Sequence, residues 1–414
     1  MKRILSLLCL LCCAPLAAQT SLGDYRRAVL RYSWQLKAAA ARTEAAAQRF
    51  GQARTGFLPQ LSLDGSFSAT VRRSNDAERW TFSVLPQLVQ VVYGGGSVRA
   101  AVDRARAGYD IALCDEEFSR LEIGYAADYA YWNLSALELY AAAMRQYVRL
   151  IVSLKEVVDR RFEEGYIAKG DVLMIDARLS EARYQLVTAE QRAEVALHNF
   201  NILQGADASA PVRLTDSVRD SILMPQHADH AAALERRPDY AAAQLRIVQA
   251  EASVRGARAP FNPQVSVGIG GVWRPHTPNR SGSTLVDGSA FVKLSVPIFH
   301  GGERRRAEGV AQALRRESEW NAQQLREEIL LEELNGWTAI VQSRAQVDAS
   351  ERSLRIAGEN LELSTYSYGE GLVTILDVLQ AQLSWIQLYT NDITARYNYA
   401  LAISDYRRIT AGEE

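Results

Sequence analysis

Phe162-Glu163-Glu164-Gly165-Tyr166-Ile167-Ala168-Lys169-Gly170-Asp171-Val172 and Tyr368-Gly369-Glu370-Gly371-Leu372-Val373-Thr374-Ile375-Leu376-Asp377-Val378 are the same sentence written twice, 206 residues apart. In each, a lone Gly interrupts a long polar and apolar periodicity, and an acid-Val pair restarts it six residues later. Gly reverses a chain tightly because it alone adopts left-handed backbone without steric cost. Each tip therefore predicts two helices folded back on one another.

Working outward, the same offset recurs. Asp171-Val172-Leu173 matches Asp377-Val378-Leu379, and Gly95-Gly96 matches Gly301-Gly302. Further upstream, the Pro-Gln-Leu-Ser at 59–62 answers the Pro-Gln-Val-Ser at 263–266 with an offset of 204, so a two-residue length difference falls between. A register held this long marks a tandem duplication. The chain divides into a leader at 1–18, a first repeat at 19–205, a linker at 206–226 carrying Pro211 and Pro225, and a second repeat at 227–414.

Residues 87–210 and 298–414 contain no proline and are rich in Ala, Leu, Glu, Arg and Gln, the composition of long helices. The 69 residues from Gly96 to Gly165, and again from Gly302 to Gly371, would as helix span roughly 100 Å. Heptads supply a partner along that length. Outgoing positions Ile340, Val347, Leu354, Leu361 and Tyr368 recur every seven residues, with small Ser343, Ser350, Ala357 and Ser364 between them. The first repeat instead places large Leu137, Met144, Ile151 and Val158 in those intermediate places. Return helices keep the pattern from Val172 to Phe200 and from Val378 to Tyr406. Antiparallel coiled-coil hairpins are the expected result.

Between the short and long helices of each repeat lie two strands. Gln60, Ser62, Asp64, Ser66 and Ser68 alternate with Leu61, Leu63, Gly65, Phe67 and Ala69, the period of a sheet wet on one face. Trp80–Tyr93 follows, and Gln264–Gly271 and Ala290–Phe299 play the same parts around a loop at Arg274–Gly288. Four strands cannot close a barrel, and open edges are not tolerated in lipid, so closure across chains is required if the sheet is a membrane one.

Composition narrows the function. The 414 residues carry 47 basic and 48 acidic side chains, for a net charge of -1, which argues against a nucleic-acid binder, normally basic on one face. Lys2 and Arg3 precede the apolar run Ile4–Leu11, and small Ala14, Ala17 and Ala18 follow, the order of a secretory signal cleaved near Ala18. A lipoprotein signal would need a small residue ahead of Cys9, Cys12 or Cys13, and each follows Leu or Cys. Removing the leader leaves Cys114 alone, so no intrachain disulfide is expected. No run of 18 apolar residues suits a transmembrane helix.

These features together resemble the TolC family of outer-membrane channels, the exit ducts of efflux pumps and type I secretion. The resemblance spans the chain from about Leu22 and is carried by the twinned tips, the twinned Gly-Gly and the twinned Pro-Gln-[Leu/Val]-Ser. It implies a mainly helical protein with four strands per chain, three chains closing a twelve-stranded outer-membrane barrel above a periplasmic helical tube in a Gram-negative cell. The implied partners are two further copies of the chain, a periplasmic adaptor, an inner-membrane pump driven by protons or ATP, and outer-membrane lipid. Neither cofactor nor nucleic acid is implied. The expected activity is passive export of small molecules. Protein export through a type I system is the alternative within that class, and a non-conducting periplasmic coiled-coil scaffold the alternative outside it. No nucleophile motif or convergent polar pocket for an enzyme is found.

The resemblance also assigns residues. Asp377 would form a ring of three carboxylates at the narrow end, attracting cations; its alternative is a helix N-cap. Where the family often has a second acid one turn on, this chain has Gln380. Asp171 would bond Tyr368 and hold the end shut, and the positions of the family's second tether hold Val373 and Gly170. Tyr368 has the alternative role of filling the seam. Glu164, Gly165, Tyr166, Glu370, Gly371 and Leu372 would dock the adaptor. Arg304-Arg305-Arg306, opening a helix where the dipole prefers acids, suits phospholipid headgroups or a solvated face. His227-x-x-His230 has no further metal ligands nearby in sequence, and no metal site is expected.

Overall fold

The computed structural model describes residues 19–69, 80–274 and 285–412. The signal read at 1–18 lies outside them, as does most of the loop read at 274–288. The element order is β1 (Gln19–Thr20), α1 (Leu22–Tyr32), α2 (Trp34–Thr55), β2 (Gln60–Ala69), β3 (Trp80–Gly94), α3 (Ser97–Glu163), α4 (Lys169–Gln204) and β4 (Arg213–Leu214). The second repeat follows with α5 (His230–Arg236), α6 (Pro238–Arg258), a 3-10 turn at Ala259–Phe261, β5 (Gln264–Arg274), β6 (Leu285–Ser295), α7 (Glu303–Gly369) and α8 (Ile375–Ile409). No helix among the described residues is long and apolar enough to cross a membrane.

The chain forms two compact units, and each takes segments from both halves of the sequence. One comprises described residues 19–37, 118–237 and 328–412; the other comprises 38–69, 80–117, 238–274 and 285–327.

In the second of these, strands order as β2-β3-β5-β6, all antiparallel. The register aligns Leu61 with Leu88, Leu88 with Ile269 and Ile269 with Ala290, and likewise Val267 with Val292. Side chains alternate across a pleated sheet. Leu61, Leu63 and Phe67 therefore share a face with Phe82, Leu88, Val267, Ile269, Trp273, Val286, Val292 and Leu294. Gln60, Ser62, Asp64, Ser66, Gln87, Ser266, Asp287, Ser289 and Lys293 occupy the other. Every residue of β2 is exposed, apolar Leu61 at 77% as fully as its polar neighbours. β2 and β6 each have one unpaired edge. Two expectations are corrected here: β5 runs on to Arg274, and β6 runs from Leu285 to Ser295 and does not reach Phe299. Ser295 is the last residue with a partner, Gln264, and Pro297 has no N–H to continue a ladder.

The helices of that unit pack through alanine. Ala100, Ala107, Ala242, Ala252 and Ala259 are buried, and the Arg246–Asp115, Arg255–Asp103 and Arg258–Glu308 ion pairs flank them.

In the other unit the heptad residues form the core. Ile151, Val158, Ile175, Ala182, Ala189, Phe200, Val378, Ala381 and Trp385 are all buried in one cluster, and Ile340, Val347, Tyr399, Ile403 and Tyr406 in a second. Bulk sits on opposite strokes of the two hairpins. Large Met144, Ile151 and Val158 on α3 accompany small Ala182, Ala189 and Ala196 on α4, whereas small Ser343 and Ala357 on α7 accompany Trp385 and Tyr399 on α8. Asp392, at a seam position, is buried but held by Ser350 Oγ and Arg396 Nε. Within the 206–226 stretch, β4 pairs in parallel with β1. Tyr131 fastens this pair, donating its hydroxyl to Thr20 O at 2.9 Å and accepting from Asp216 N.

Candidate functional site

The two hairpin tips close identically. At the end of α3, Gly165 N donates to Phe162 O and Tyr166 N to Arg161 O; at the end of α7, Gly371 N donates to Tyr368 O and Leu372 N to Ser367 O. Gly165 and Gly371 have φ of 78° and 79°. This paired bond with a left-handed Gly satisfies the last carbonyls of each helix, and a side chain there would be strained. Glu164, Tyr166, Glu370 and Leu372 project from these turns into solvent, Tyr166 at 78% and Leu372 at 75% exposure.

The restarts differ. α4 begins after Ala168, which caps with no side chain. α8 begins after Thr374, and Asp377 stands at its third position in a reciprocal capping box. Asp377 Oδ2 accepts from Thr374 N at 2.8 Å and Thr374 Oγ1 at 2.7 Å. The N-cap reading of Asp377 is thereby corrected: Thr374 is the cap, and Asp377 answers it. The Thr374 hydroxyl, then its backbone N–H, hold the Asp377 carboxyl below its ordinary value. It is exposed and stays ionised while it caps.

Tyr368 is buried, and burial pushes its phenol up, with Arg161 acting in the opposite sense. No hydrogen bond reaches its hydroxyl, so the Asp171–Tyr368 bond suggested by resemblance is not formed within the chain. Arg161 supplies the connection instead. Its guanidinium lies 4.7 Å from the Tyr368 ring centroid and donates to Gly369 O at 2.7 Å. One side chain from the end of α3 thus grips both the aromatic face and the terminal carbonyl of α7. A guanidinium on an aromatic ring contributes about 0.5–2 kcal/mol. Sequence reading passed over Arg161; the available signal was a basic residue in the last turn of a helix, favoured there by the dipole. Farther along the hairpins, Gln380 lines a cleft of about 310 Å³ with Met174, Arg178, Glu181, Leu376 and Leu379, between α4 and α8.

The histidines lie away from the tips. His227 Nε2 is 3.1 Å from Glu333 Oε1, and His230 Nδ1 is 2.6 Å from Glu333 Oε2. Among the described residues no group of three or more His, Cys, Asp or Glu is arranged to hold a metal ion. Arg304, Arg305 and Arg306 are exposed at the start of α7.

The outer membrane efflux protein family matches residues 27–205 and 231–411, one segment in each repeat. The chain is 26% identical over 390 residues to protein CyaE of Bordetella pertussis, covering 86% of this chain and 75% of that one. It is 27% identical over 380 residues to the pyoverdine export outer membrane protein OpmQ of Pseudomonas putida, covering 86% and 78%. Among solved structures, CusC superposes with a TM-score of 0.85 over 96% of this chain and 93% of that one, at 17% identity. The outer membrane protein VceC of Vibrio cholerae gives 0.81 over 94% and 96%, at 20% identity. At these identities the structures show a shared fold.

Proposed function

We propose, for a chain that belongs to the outer membrane efflux protein family, a passive trimeric exit duct with no chemistry of its own, driven from the inner membrane through a periplasmic adaptor. The observation that supports this best is the sheet: an apolar face and a polar face, neither covered by a core, and two open edges. Strands of 10, 11 and 11 residues match the roughly 9–11 that a tilted transmembrane strand needs, and β3, at 15, exceeds it. The apolar face belongs against lipid, the polar face against water, and the edges against two further copies. A soluble scaffold would leave that apolar face in water.

The tips are the working end. Glu164, Tyr166, Glu370 and Leu372 are held outward by rigid reversals and form the surface offered to the adaptor. Three copies of Asp377, kept ionised by Thr374, form the ring that draws cations. Arg161 holds the α3 and α7 ends together and is the latch that an opening motion must break. Selectivity then resides in the pump, since a wide wet tube discriminates little. The cargo we favour is small molecules.

Reconstitution tests the duct. Heat-modifiable trimers in the outer-membrane fraction and single-channel conductance in bilayers are expected; a detergent-free soluble monomer would overturn the reading. A deletion strain that becomes drug-sensitive while still secreting protein marks small-molecule efflux, and the reverse result marks type I secretion.

A further inference from the structure

Glu333 of α7 is a buried carboxylate whose side chain is 2% exposed, and among the described residues no Lys or Arg reaches it. Tyr406 of α8 donates to Oε1 at 2.8 Å. The remaining partners come from outside the hairpin: His227, at the start of the second repeat, and His230, the first residue of α5. The Oε2 atom has the His230 Nδ1 contact alone and no hydrogen bond of normal geometry. At 2.6 and 3.1 Å the nitrogens sit at hydrogen-bond distance from the carboxylate, with no room for an ion between.

The surrounding charges are already committed. Beside it on α7, burial works upward on Glu332, but Arg408 and Arg237 bond it and hold it low. Arg408 of α8 also engages Glu122 of α3 and Asp405. Asp229 caps α5 through Ala232 N. Burial pushes Tyr406 up to about 12, so it remains a donor across the neutral range. Both imidazoles are 43% exposed, whereas the Glu333 side chain is 2% exposed.

The first repeat makes the corresponding attachment differently. Its opening helix is tied to α3 by Arg26, which donates twice to buried Asp128, at 3.0 and 2.7 Å. Trp337 and Tyr406 stand where Tyr131 and Phe200 stand 206 residues earlier, and Glu333 answers Ala127, next to Asp128. Arginine never loses its charge, whereas imidazole is the side chain that ordinarily changes charge between pH 5 and 8.

We propose that His227, His230 and Glu333 form a proton-operated clasp that fastens the start of the second repeat to the α7–α8 hairpin, firm when the imidazoles are charged and slack when they are not. Protonated imidazoles neutralise the buried carboxylate; neutral ones still offer one N–H each but leave its charge uncompensated in a dry site. The firmness is thus present on the acid side of the imidazole range and lost on the alkaline side. Ala228 N, which donates to the Tyr406 hydroxyl, lies between the two histidines and reports the state of the clasp.

Amide hydrogen exchange of the full-length protein in detergent, corrected for intrinsic rate, tests this at pH 5.8 and 8.0. Amides of 218–233 should lose protection on the order of tenfold at the higher pH, while those of 22–29, held by Arg26, should not. A His227→Gln/His230→Gln double variant should show low protection of 218–233 at both values. Equal pH profiles in the two wild-type segments would overturn the clasp, as would a pH response retained in the double variant. The wild-type comparison decides even if the variant fails to fold.

Discussion

A single guanidinium does at the tips what an Asp171–Tyr368 pair was expected to do. Arg161 covers the Tyr368 ring and bonds the Gly369 carbonyl, so Arg161→Ala removes both contacts together. Resting single-channel conductance should rise in that variant, with Arg161→Lys intermediate because an ammonium lacks the planar stack; unchanged conductance would place the latch elsewhere. Asp377→Ala should weaken block by divalent and trivalent cations, measured as a higher half-blocking concentration. Because the same carboxylate completes the cap, Thr374→Ala serves as its control. That variant should cost about 1 kcal/mol in local helix stability, read by exchange at 374–378, while leaving cation block in place. These roles differ in legibility. Asp377 was visible as an acid restarting a helix. Arg161, His227, His230 and Glu333 were not visible as partners, since their contacts join positions that no local spacing relates.

At the scale of elements, hydrophobic period and punctuation carried most of the fold. Proline-free stretches and twinned glycines located α3, α4, α7 and α8 almost to the residue, and heptads named the buried seam from Ile340 to Tyr406. The signal failed where elements are too short to have a period. β1 and β4 have two residues each, and the Tyr131 hydroxyl, Asp216 and the Thr215 N–H bond to Thr20 O help them persist. It also failed at the end of β6, where the apolar residues Val296–Phe299 continue past the last strand partner. The hairpins themselves make a testable distinction. Ala182 lies on the small-residue side of the first hairpin and is fully buried, so Ala182→Leu should overpack it at a cost of about 1–3 kcal/mol, seen as a lowered unfolding midpoint of the helical circular dichroism signal.

For the whole molecule the sheet is decisive, and its two faces predict opposite outcomes from neighbouring positions. Leu63→Arg places a charge on the apolar face and should cost about 2–4 kcal/mol near the bilayer centre, depleting trimers from the outer-membrane fraction. Ser62→Arg, one residue away on the polar face, should leave trimer yield intact and change conductance instead. Equal tolerance of the two would remove the membrane assignment of the sheet. The same uncovered sheet carries a kinetic consequence. With no core behind it and an unpaired edge on either side, one copy of the chain has nowhere to finish folding. In the trimeric duct we propose, barrel closure is a meeting of three molecules, its rate set by how many arrive at the membrane together, and dilution alone would strand each copy half-made.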